Sequence, residues 1–255
     1  MQVHSVDALV LRSYRYGEAD RIVVFLTADR GKKRGVAKNA TASRRRFGAG
    51  LEPMTQGRAT YVEREHRDLV RLDRVEPRRS PLDAAAGYAD GEGAHRLGHA
   101  AYFAELLDEW SPDGQANERL FRLGVAVGEA LNGTGSVDAL ARYFEYWLMR
   151  LEGVYPAFDR CPQCGRAEMA AGVALNAADR GYVCGACAQG GLRVSSEAMG
   201  FLRAAMSVTP IEAARLPRSP SALRQLEDVH HRLIAMHLEK DVRSLRIVKE
   251  LRPHP

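Results

Sequence analysis

Residues 21–40 read RIVVFLTADRGKKRGVAKNA, and this stretch decides the fold of the N-terminal part of the chain. Residues 21–27 are rich in β-branched and aromatic side chains, which favours a strand. A turn follows at residues 29–31. Residues 34–40 can return as a second strand, because a short glycine-containing loop joins the two segments. The stretch therefore predicts a β-hairpin whose second half is strongly basic.

Three further segments continue the β pattern on either side of this hairpin. Residues 5–12, 57–64 and 69–75 carry apolar side chains at strand spacing. Five short strands in succession predict a small closed barrel, because closure removes exposed sheet edges. A five-stranded OB-type barrel is the leading interpretation, and an SH3-like barrel is the alternative.

After residue 78 the apolar residues follow helical spacing instead. Helices are predicted over residues 94–110, 118–131, 137–151, 195–206 and 221–239, followed by an amphipathic tail at 242–251 that is expected to dock on the helical body. Ser195 and Ser221 are the predicted N-caps of the last two helices. The fold class is thus α+β multidomain, an N-terminal barrel followed by an all-α domain with an inserted cysteine module. The predicted parts are a barrel domain at 1–78, a first helical part at 79–157, the cysteine module at 158–192 and a second helical part at 193–255.

Positive charge is concentrated in residues 30–51, which hold eight basic residues and no acidic one, although the whole chain is only +5. A patch of this density attracts polyanions, and nucleic acid is the commonest of them. The alternative is a solvated charged loop. The predicted phosphate contacts are Arg12, Arg30, Lys32, Lys33, Arg34, Lys38, Arg44, Arg45 and Arg46.

Aromatic residues near the basic stretch are candidates for stacking on bases, as in proteins that bind single strands. Tyr14, Tyr16 and Phe47 fall in predicted loops and are the stacking candidates. Phe25 lies inside an apolar strand and is predicted to belong to the core.

Four cysteines form two C-x-x-C pairs with nineteen residues between them: Cys161, Cys164, Cys184 and Cys187. Each pair can aim two sulfurs at one ion, and two pairs supply the four thiolates of a tetrahedral Zn²⁺ site. We therefore predict one structural zinc, in a closed site with no position for a catalytic water. A redox dithiol would need a single C-x-x-C in a βαβ unit. A zinc deaminase would need H-x-E upstream of its cysteines, and the H-x-E here lies downstream, at 237–239.

Several other classes fit the sequence poorly. The longest charge-free run, residues 181–192, is too short for a membrane span, and the N-terminus has no basic region typical of a secretory signal. Paired cysteines without an export signal favour metal binding in a reducing cytoplasm. The sequence has neither a P-loop nor a G-x-S-x-G motif, so we predict a protein that is not an enzyme.

Short motifs, densest in the first 60 residues, resemble those of a known family. They are residues 8–12 (ALVLR), 16–24 (YGEADRIVV), 31–32 (GK), 35–38 (GVAK), 46–49 (RFGA) and 51–53 (LEP), with 143–144 (YF), Leu148, 153–156 (GVYP) and 243–245 (RSL) further on. This set resembles the RecO family of bacterial recombination mediators. The chain departs from the family pattern at Asn39, where glycine is common, and in the heavier three-arginine run at 44–46.

The resemblance implies an N-terminal OB fold, a helical C-terminal domain and a four-cysteine zinc module. It also implies binding of single- and double-stranded DNA, annealing of complementary strands, and help in loading RecA onto strands coated by single-strand-binding protein. RecR would be the main partner, and the protein would be cytoplasmic and nucleoid-associated. The competing hypothesis is a zinc-ribbon adaptor whose basic loop binds an acidic protein.

Overall fold

The structure is a computed structural model that describes residues 1–43, 45–65, 67–87, 91–167, 169, 172–176 and 181–252. The chain divides into two compact units. Unit 1 comprises residues 1–134 together with the C-terminal segment from Val242, and unit 2 comprises Gly135–Asp241. The boundaries predicted at residues 78, 157 and 192 rest on sequence pattern, whereas these two units are defined by contacts. The four-part division therefore stays a prediction. Among the described residues, no helix is long and apolar enough to cross a membrane.

Unit 1 begins with five strands, which match the five predicted segments. They are β1 (Gln2–Tyr16), β2 (Asp20–Thr27), β3 (Gly31–Ala37), β4 (Gln56–Glu63) and β5 (Leu69–Arg79). Their order is β1-β2-β3-β5-β4, and β4 also pairs with β1, so the sheet closes into an OB-like barrel. All pairs are antiparallel except β3 with β5, which run parallel where residues 34–37 meet residues 69–72.

The barrel interior is filled by side chains that alternate along the strands, among them Val10, Phe25 and Tyr61. Phe47 and Leu51, from the connection between β3 and β4, join the same cluster. Burying an apolar side chain of this size contributes about 1.5–3 kcal/mol. The connection is therefore anchored to the barrel core and is not a free loop.

The described residues contain helices that follow the predicted periodicity, with two short additions. They are α1 (Pro81–Ala85), α2 (Glu92–Trp110), α3 (Glu118–Leu131), α4 (Val137–Leu151), α5 (Ser196–Ala205), α6 (Pro210–Ala213), α7 (Pro220–Leu238) and α8 (Ser244–Glu250). Ser195 caps α5 as predicted, with its Oγ accepting from the N–H of Ala198 at 3.3 Å. The predicted cap Ser221 is wrong. Ser219 caps α7 instead, because Pro220 has the fixed φ of a first helical residue and begins the helix two positions earlier.

Helix α2 is the centre of the helical part of unit 1 and packs on β1. The tail α8 docks on it, with Gly98 of α2 facing Val248 and Leu251. The Glu105 carboxylate accepts the backbone N–H groups of Arg243 and Ser244 at 3.0 and 2.8 Å. The amphipathic tail is thus held by an apolar contact and by a carboxylate at the start of its helix.

The segment that follows α2 runs beside the beginning of β3. The N–H of Gly114 donates to the carbonyl of Lys32 at 3.0 Å. Gly31 has φ +65°, and a Cβ there would lie 2.2 Å from the carbonyl oxygen of Gln115. Glycine is therefore required at the turn between β2 and β3, both for its backbone conformation and for the close approach of this segment.

Unit 2 contains α4 to α7 and a three-stranded antiparallel sheet. The strands are β6 (Val173–Asn176), β7 (Gly181–Cys184) and β8 (Leu192–Val194), in the order β7-β6-β8. The sequence pattern did not predict this small sheet. It carries Cys184 at the end of β7, so it positions the second cysteine pair.

Candidate nucleic-acid interface and metal centre

Strand β3 carries the first part of the basic stretch, and its three consecutive cations have different surroundings. Lys32 is 8% exposed. Its ammonium lies 2.7 Å from the carbonyl oxygen of Asp108, 3.0 Å from Asp108 Oδ1 and 3.3 Å from Asp113 Oδ1. An ammonium has three donors, and these contacts use all three. Lys32 therefore joins β3 to the end of α2 and to the segment that follows it.

Lys33 points to the other side of the strand and is partly buried. Its Nζ donates to Glu63 Oε1 at 2.8 Å, and this hydrogen bond lowers the pKa of Glu63 below its ordinary value. The second carboxylate oxygen, Oε2, lies 3.3 Å from His4 Nε2. Glu63 is thus the acidic partner that β4 supplies to the basic strand.

The other predicted cations on the strands and turns of the barrel, Arg12, Arg30 and Arg34, are about half exposed. Arg34 Nη2 lies 3.5 Å from Asp113 Oδ2. Arg12 Nη2 lies 3.0 Å from Asp108 Oδ2, with the guanidinium 5.7 Å from the ring centre of Tyr14. These arginines keep donors on the solvent side, because roughly half of each side chain is exposed. Arg30 pairs with Asp29 at 3.6 Å.

The connection between β3 and β4 carries the second part of the basic stretch. Lys38 and Arg45 are exposed, whereas Arg44 lies outside the described residues. Arg46 donates to Ser43 Oγ at 2.9 Å and to the carbonyl of Lys38. Its guanidinium also lies 4.9 Å from the ring centre of Phe47.

The predicted stacking role of Phe47 is wrong. The side chain is 1% exposed and belongs to the barrel core, because the connection packs on the barrel, where the N–H of Val75 donates to the carbonyl of Arg46 at 3.0 Å. Tyr14 and Tyr16 lie in β1 and not in a loop, but both are exposed, at 41% and 51%. The core position predicted for Phe25 is confirmed.

An open groove of about 660 Å³ lies between the β1–β2 turn, the end of β3 and the β4–β5 loop. Its lining includes the exposed Tyr16 and four cations, namely Lys38, Arg64, Arg67 and Arg71. Of these cations, the sequence interpretation named Lys38 alone. The arginines were missed because they alternate with Glu63, Glu65, Asp68 and Asp73, so that residues 63–73 as a whole carry three arginines and four acidic residues and show no excess of positive charge.

A second groove of about 560 Å³ continues along the same face of unit 1. It shares Arg67 and residues 68–70 with the first groove and extends to Lys33, Arg34 and Asp113. The two grooves together make one face, which we call the basic face. Its polar and aromatic members are Tyr16, Lys33, Arg34, Lys38, Arg64, Arg67 and Arg71, with the carboxylates Asp20, Glu63, Asp68 and Asp113. Lys32 also lines the smaller groove, but its side chain is buried.

The four predicted cysteine ligands come together in unit 2. The sulfurs of Cys161, Cys164, Cys184 and Cys187 all lie within 4.8 Å of one another. Cys164 Sγ and Cys184 Sγ are 3.7 Å apart. That separation is far longer than a disulfide bond and is close to the edge of a tetrahedron with metal–sulfur bonds of about 2.3 Å. The donor set therefore fits a single tetrahedral zinc ion.

Backbone hydrogen bonds favour the thiolate form that a metal requires. The N–H of Cys184 lies 3.4 Å from Cys161 Sγ, and this bond lowers the pKa of Cys161 to about 6. The pKa of Cys187 rises to about 12, because its thiol donates to the sulfurs of Cys164 and Cys184.

A buried polar chain lies behind the cysteine sheet. The hydroxyls of Tyr182 and Tyr155 are 2.9 Å apart, Tyr155 Oη is 3.1 Å from His230 Nε2, and His230 Nδ1 is 2.9 Å from Glu145 Oε2. Arg142 completes the chain at 2.7 Å from Glu145 Oε1. Burial alone would raise the pKa of Glu145, but the guanidinium and the histidine hold it well below its usual value. This chain ties β7 to α4 and α7.

Comparison with known proteins covers nearly the whole chain. Residues 1–81 match the family model described as Recombination protein O N terminal, and residues 92–246 match Recombination protein O C terminal. A protein of Anaeromyxobacter sp. (strain K) named DNA repair protein RecO is 36% identical over 97% of this chain and 96% of its own length. Proteins of the same name from Koribacter versatilis and Geobacter sulfurreducens are 35% and 34% identical, over 96% and 97% of this chain and 98% of their own lengths.

Proposed function

The chain belongs to the RecO family of DNA repair proteins, and on that premise we propose that it is a DNA-binding recombination mediator and not an enzyme. In this proposal it binds single- and double-stranded DNA and anneals complementary strands. It also helps to load RecA onto strands coated by single-strand-binding protein, with RecR as its main partner. The role places the protein in the cytoplasm, at the nucleoid.

The observation that carries the proposal is the basic face of unit 1. OB-type barrels bind oligonucleotides on the face of strands 2 and 3, between the loop that joins strands 1 and 2 and the loop that joins strands 4 and 5. The larger groove has this position, with the exposed ring of Tyr16 beside Lys38, Arg64 and Arg67. A ring for stacking and cations for phosphates are the two elements of single-strand binding that does not depend on sequence.

We select the proposed phosphate contacts by the exposure of each cation and by the protein groups that it already contacts. Lys33, Arg34, Lys38 and Arg45 are included, with Arg12 and Arg30 in support, and Arg64, Arg67 and Arg71 are added. Arg44 and Arg46 stay as predicted contacts of the same connection. Lys32 is not among the proposed contacts, because its ammonium is buried and two of its three donors are held by the carbonyl and carboxylate of the buried Asp108.

We further propose that Cys161, Cys164, Cys184 and Cys187 hold one structural Zn²⁺. Bound there, the ion would cross-link the first cysteine pair to the small sheet. Its binding energy is also folding energy, of about 10–16 kcal/mol in small zinc domains. The chain's own contribution is the sulfur cluster and its backbone hydrogen bonds, with the polar chain from Tyr182 to Glu145 supporting β7.

The experiment that tests the proposal is fluorescence anisotropy with labelled single-stranded DNA over a salt series. The test variant is Lys38→Ala/Arg64→Ala/Arg67→Ala. The control is Arg119→Ala/Arg122→Ala/Arg246→Ala, which removes three exposed charges from α3 and α8 of the same unit. An Arg44→Ala/Arg45→Ala/Arg46→Ala variant tests the connection, but Arg46 also braces it through Ser43 and Lys38, so its melting curve must be checked.

Three lost phosphate contacts reduce the slope of log K against log salt by about two units, at about 0.7 for each contact with a single strand. The control variant should keep the wild-type slope. If the test variant and the wild type bind alike, the basic face is not the DNA site. If the wild type binds an acidic peptide and not DNA, the adaptor hypothesis takes its place.

A further inference from the structure

Two carboxylates of the basic face, those of Glu63 and Asp113, are in contact with two of its cations. Glu63 Oε1 lies 2.8 Å from Lys33 Nζ, and Asp113 Oδ2 lies 3.5 Å from Arg34 Nη2. All four side chains line the smaller groove. Two of the cations that the groove would offer to a phosphate are therefore already in contact with a carboxylate.

These carboxylates have the chemistry of a phosphate contact. A carboxylate, like a phosphate, offers anionic oxygens to ammonium and guanidinium groups. The Asp113 side chain is 59% exposed and that of Glu63 is 36% exposed, so both can be displaced into water. Asp113 also contacts the buried ammonium of Lys32, through Oδ1 at 3.3 Å, and an asparagine at this position keeps an oxygen that can accept from that ammonium. Asp108 differs from both carboxylates, because it is only 9% exposed and forms the buried pair with Lys32.

We propose that Glu63 and Asp113 act as built-in competitors for the phosphate backbone, so that a DNA strand must displace them from Lys33 and Arg34 to occupy the smaller groove. They would set the affinity of the basic face below the value that its cations could reach. This inference rests on the proposed DNA-binding function and assigns two residues that regulate it.

Three single variants and one background test the proposal in the full chain. Glu63→Gln and Asp113→Asn keep the size of each side chain and remove its charge. Glu76→Gln is the matched control, because Glu76 pairs with Arg74 at 2.8 Å in an exposed pair that does not line either groove. The background is Lys33→Ala, in which Glu63 has lost its partner on the face. A melting curve for each variant confirms that it is folded.

The readout is the affinity for labelled single-stranded DNA over a salt series. Glu63→Gln and Asp113→Asn are each expected to bind about two- to five-fold more tightly at low salt, the range that corresponds to releasing one exposed ion pair. The gain should shrink as salt rises, since exposed charges are screened. The slope should steepen by up to about 0.7 for each cation that becomes free for a phosphate. In the Lys33→Ala background, Glu63→Gln should change the affinity no more than the control does.

The outcomes separate this inference from the function on which it rests. Wild-type protein that fails to bind DNA overturns the proposed function. Wild-type protein that binds with a steep salt slope, while Glu63→Gln and Asp113→Asn match Glu76→Gln, overturns the competitor role alone. A gain from Glu63→Gln that persists in the Lys33→Ala background is a general charge effect and also overturns it.

Discussion

Replacing Lys32 by methionine is expected to destabilise unit 1 by about 3 kcal/mol, although it removes a residue that the sequence assigns to DNA. The side chains of Lys32 and Asp108 are both 9% exposed, and the ammonium makes three contacts. Breaking a buried pair by removing one partner costs about 3–5 kcal/mol, because the other charge stays buried. Arg12 still contacts the second oxygen of Asp108, so the lower end of that range applies.

Two further variants test whether the loss of stability in Lys32→Met comes from the buried ion pair. Arg34→Gln removes a neighbouring cation whose side chain is 45% exposed, and an exposed pair of this kind contributes at most about 1 kcal/mol. The double variant Lys32→Met/Asp108→Asn removes the unpaired buried charge as well. It should therefore be more stable than Lys32→Met alone. With Asp108→Asn as the second single variant, the four proteins form a cycle that gives the coupling energy between the two residues.

The assay is urea denaturation followed by tryptophan fluorescence. Trp110 is buried at the end of α2 in unit 1, and Trp147 lies in unit 2. A Trp147→Phe background therefore makes the signal specific to unit 1. With a urea dependence of about 2 kcal/mol per molar, a loss of 3 kcal/mol lowers the midpoint by about 1.5 M.

A structural role for the Lys32–Asp108 pair is excluded if Lys32→Met shifts the urea midpoint no more than Arg34→Gln does. A second readout separates the structural role from a binding role. Folded Lys32→Met protein should keep the wild-type salt slope for DNA, whereas Arg34→Gln should lose up to about 0.7 units. A stable Lys32→Met variant with a reduced slope would return Lys32 to the DNA contacts.

The remaining predictions concern the metal centre, a buried histidine and a turn. Cys161→Ser should lower both the zinc content and the thermal stability, because three thiolates leave the tetrahedron open; full zinc content by elemental analysis would contradict a four-ligand site. Burial lowers the pKa of His230, so the unfolded chain takes up a proton that the folded chain excludes. The stability of unit 2 should therefore fall as the pH drops below about 6.5, by up to about 1.4 kcal/mol per pH unit, and His230→Gln should flatten this dependence in denaturation curves; an unchanged slope would exclude His230 as the source. Gly31→Ala should cost about 2 kcal/mol or more, since it adds a clash to the strain of a positive φ. Gly17→Ala has a similar φ in open space and should cost only about 1–2 kcal/mol, so equal urea midpoints would show that the contact with Gln115 does not matter.

Most of the fold follows from local sequence pattern. Alternation in 21–27 and 57–64 predicts β2 and β4, and helical spacing in 118–131 predicts the bounds of α3 as found. The small sheet of unit 2 did not follow, because strands of three or four residues are too short to show a period. The N-cap of α7 was misplaced because Ser219 and Ser221 are both capping residues at the start of the helical pattern, and it is Pro220, which suits the first helical position, that identifies Ser219 as the cap.

The candidate site was less predictable than the fold, because the sequence shows where the charged residues are but not which of them contact one another in the folded chain. The acids that contact Lys32 and Arg34 come from residues 108 and 113, more than seventy positions away. Arg64 and Arg67 reach the groove through the β4–β5 loop, a placement that depends on barrel closure. The cysteine cluster was predictable because spacing alone brings each pair of sulfurs together, and just one long-range contact remained to be formed.

The docking of α8 on α2 makes unit 1 discontinuous in the chain, and this has a consequence during synthesis. Residues 1–134 leave the ribosome before the segment from Val242 that completes the unit. At about 5–20 residues per second, the intervening residues take roughly 5–20 s to make. Through that interval α8 is not available to cover the face of α2 around Gly98, and a chain released before Val242 never forms this contact. A chain that terminates before Val242 therefore exposes to chaperones and proteases the part of α2 that α8 otherwise covers.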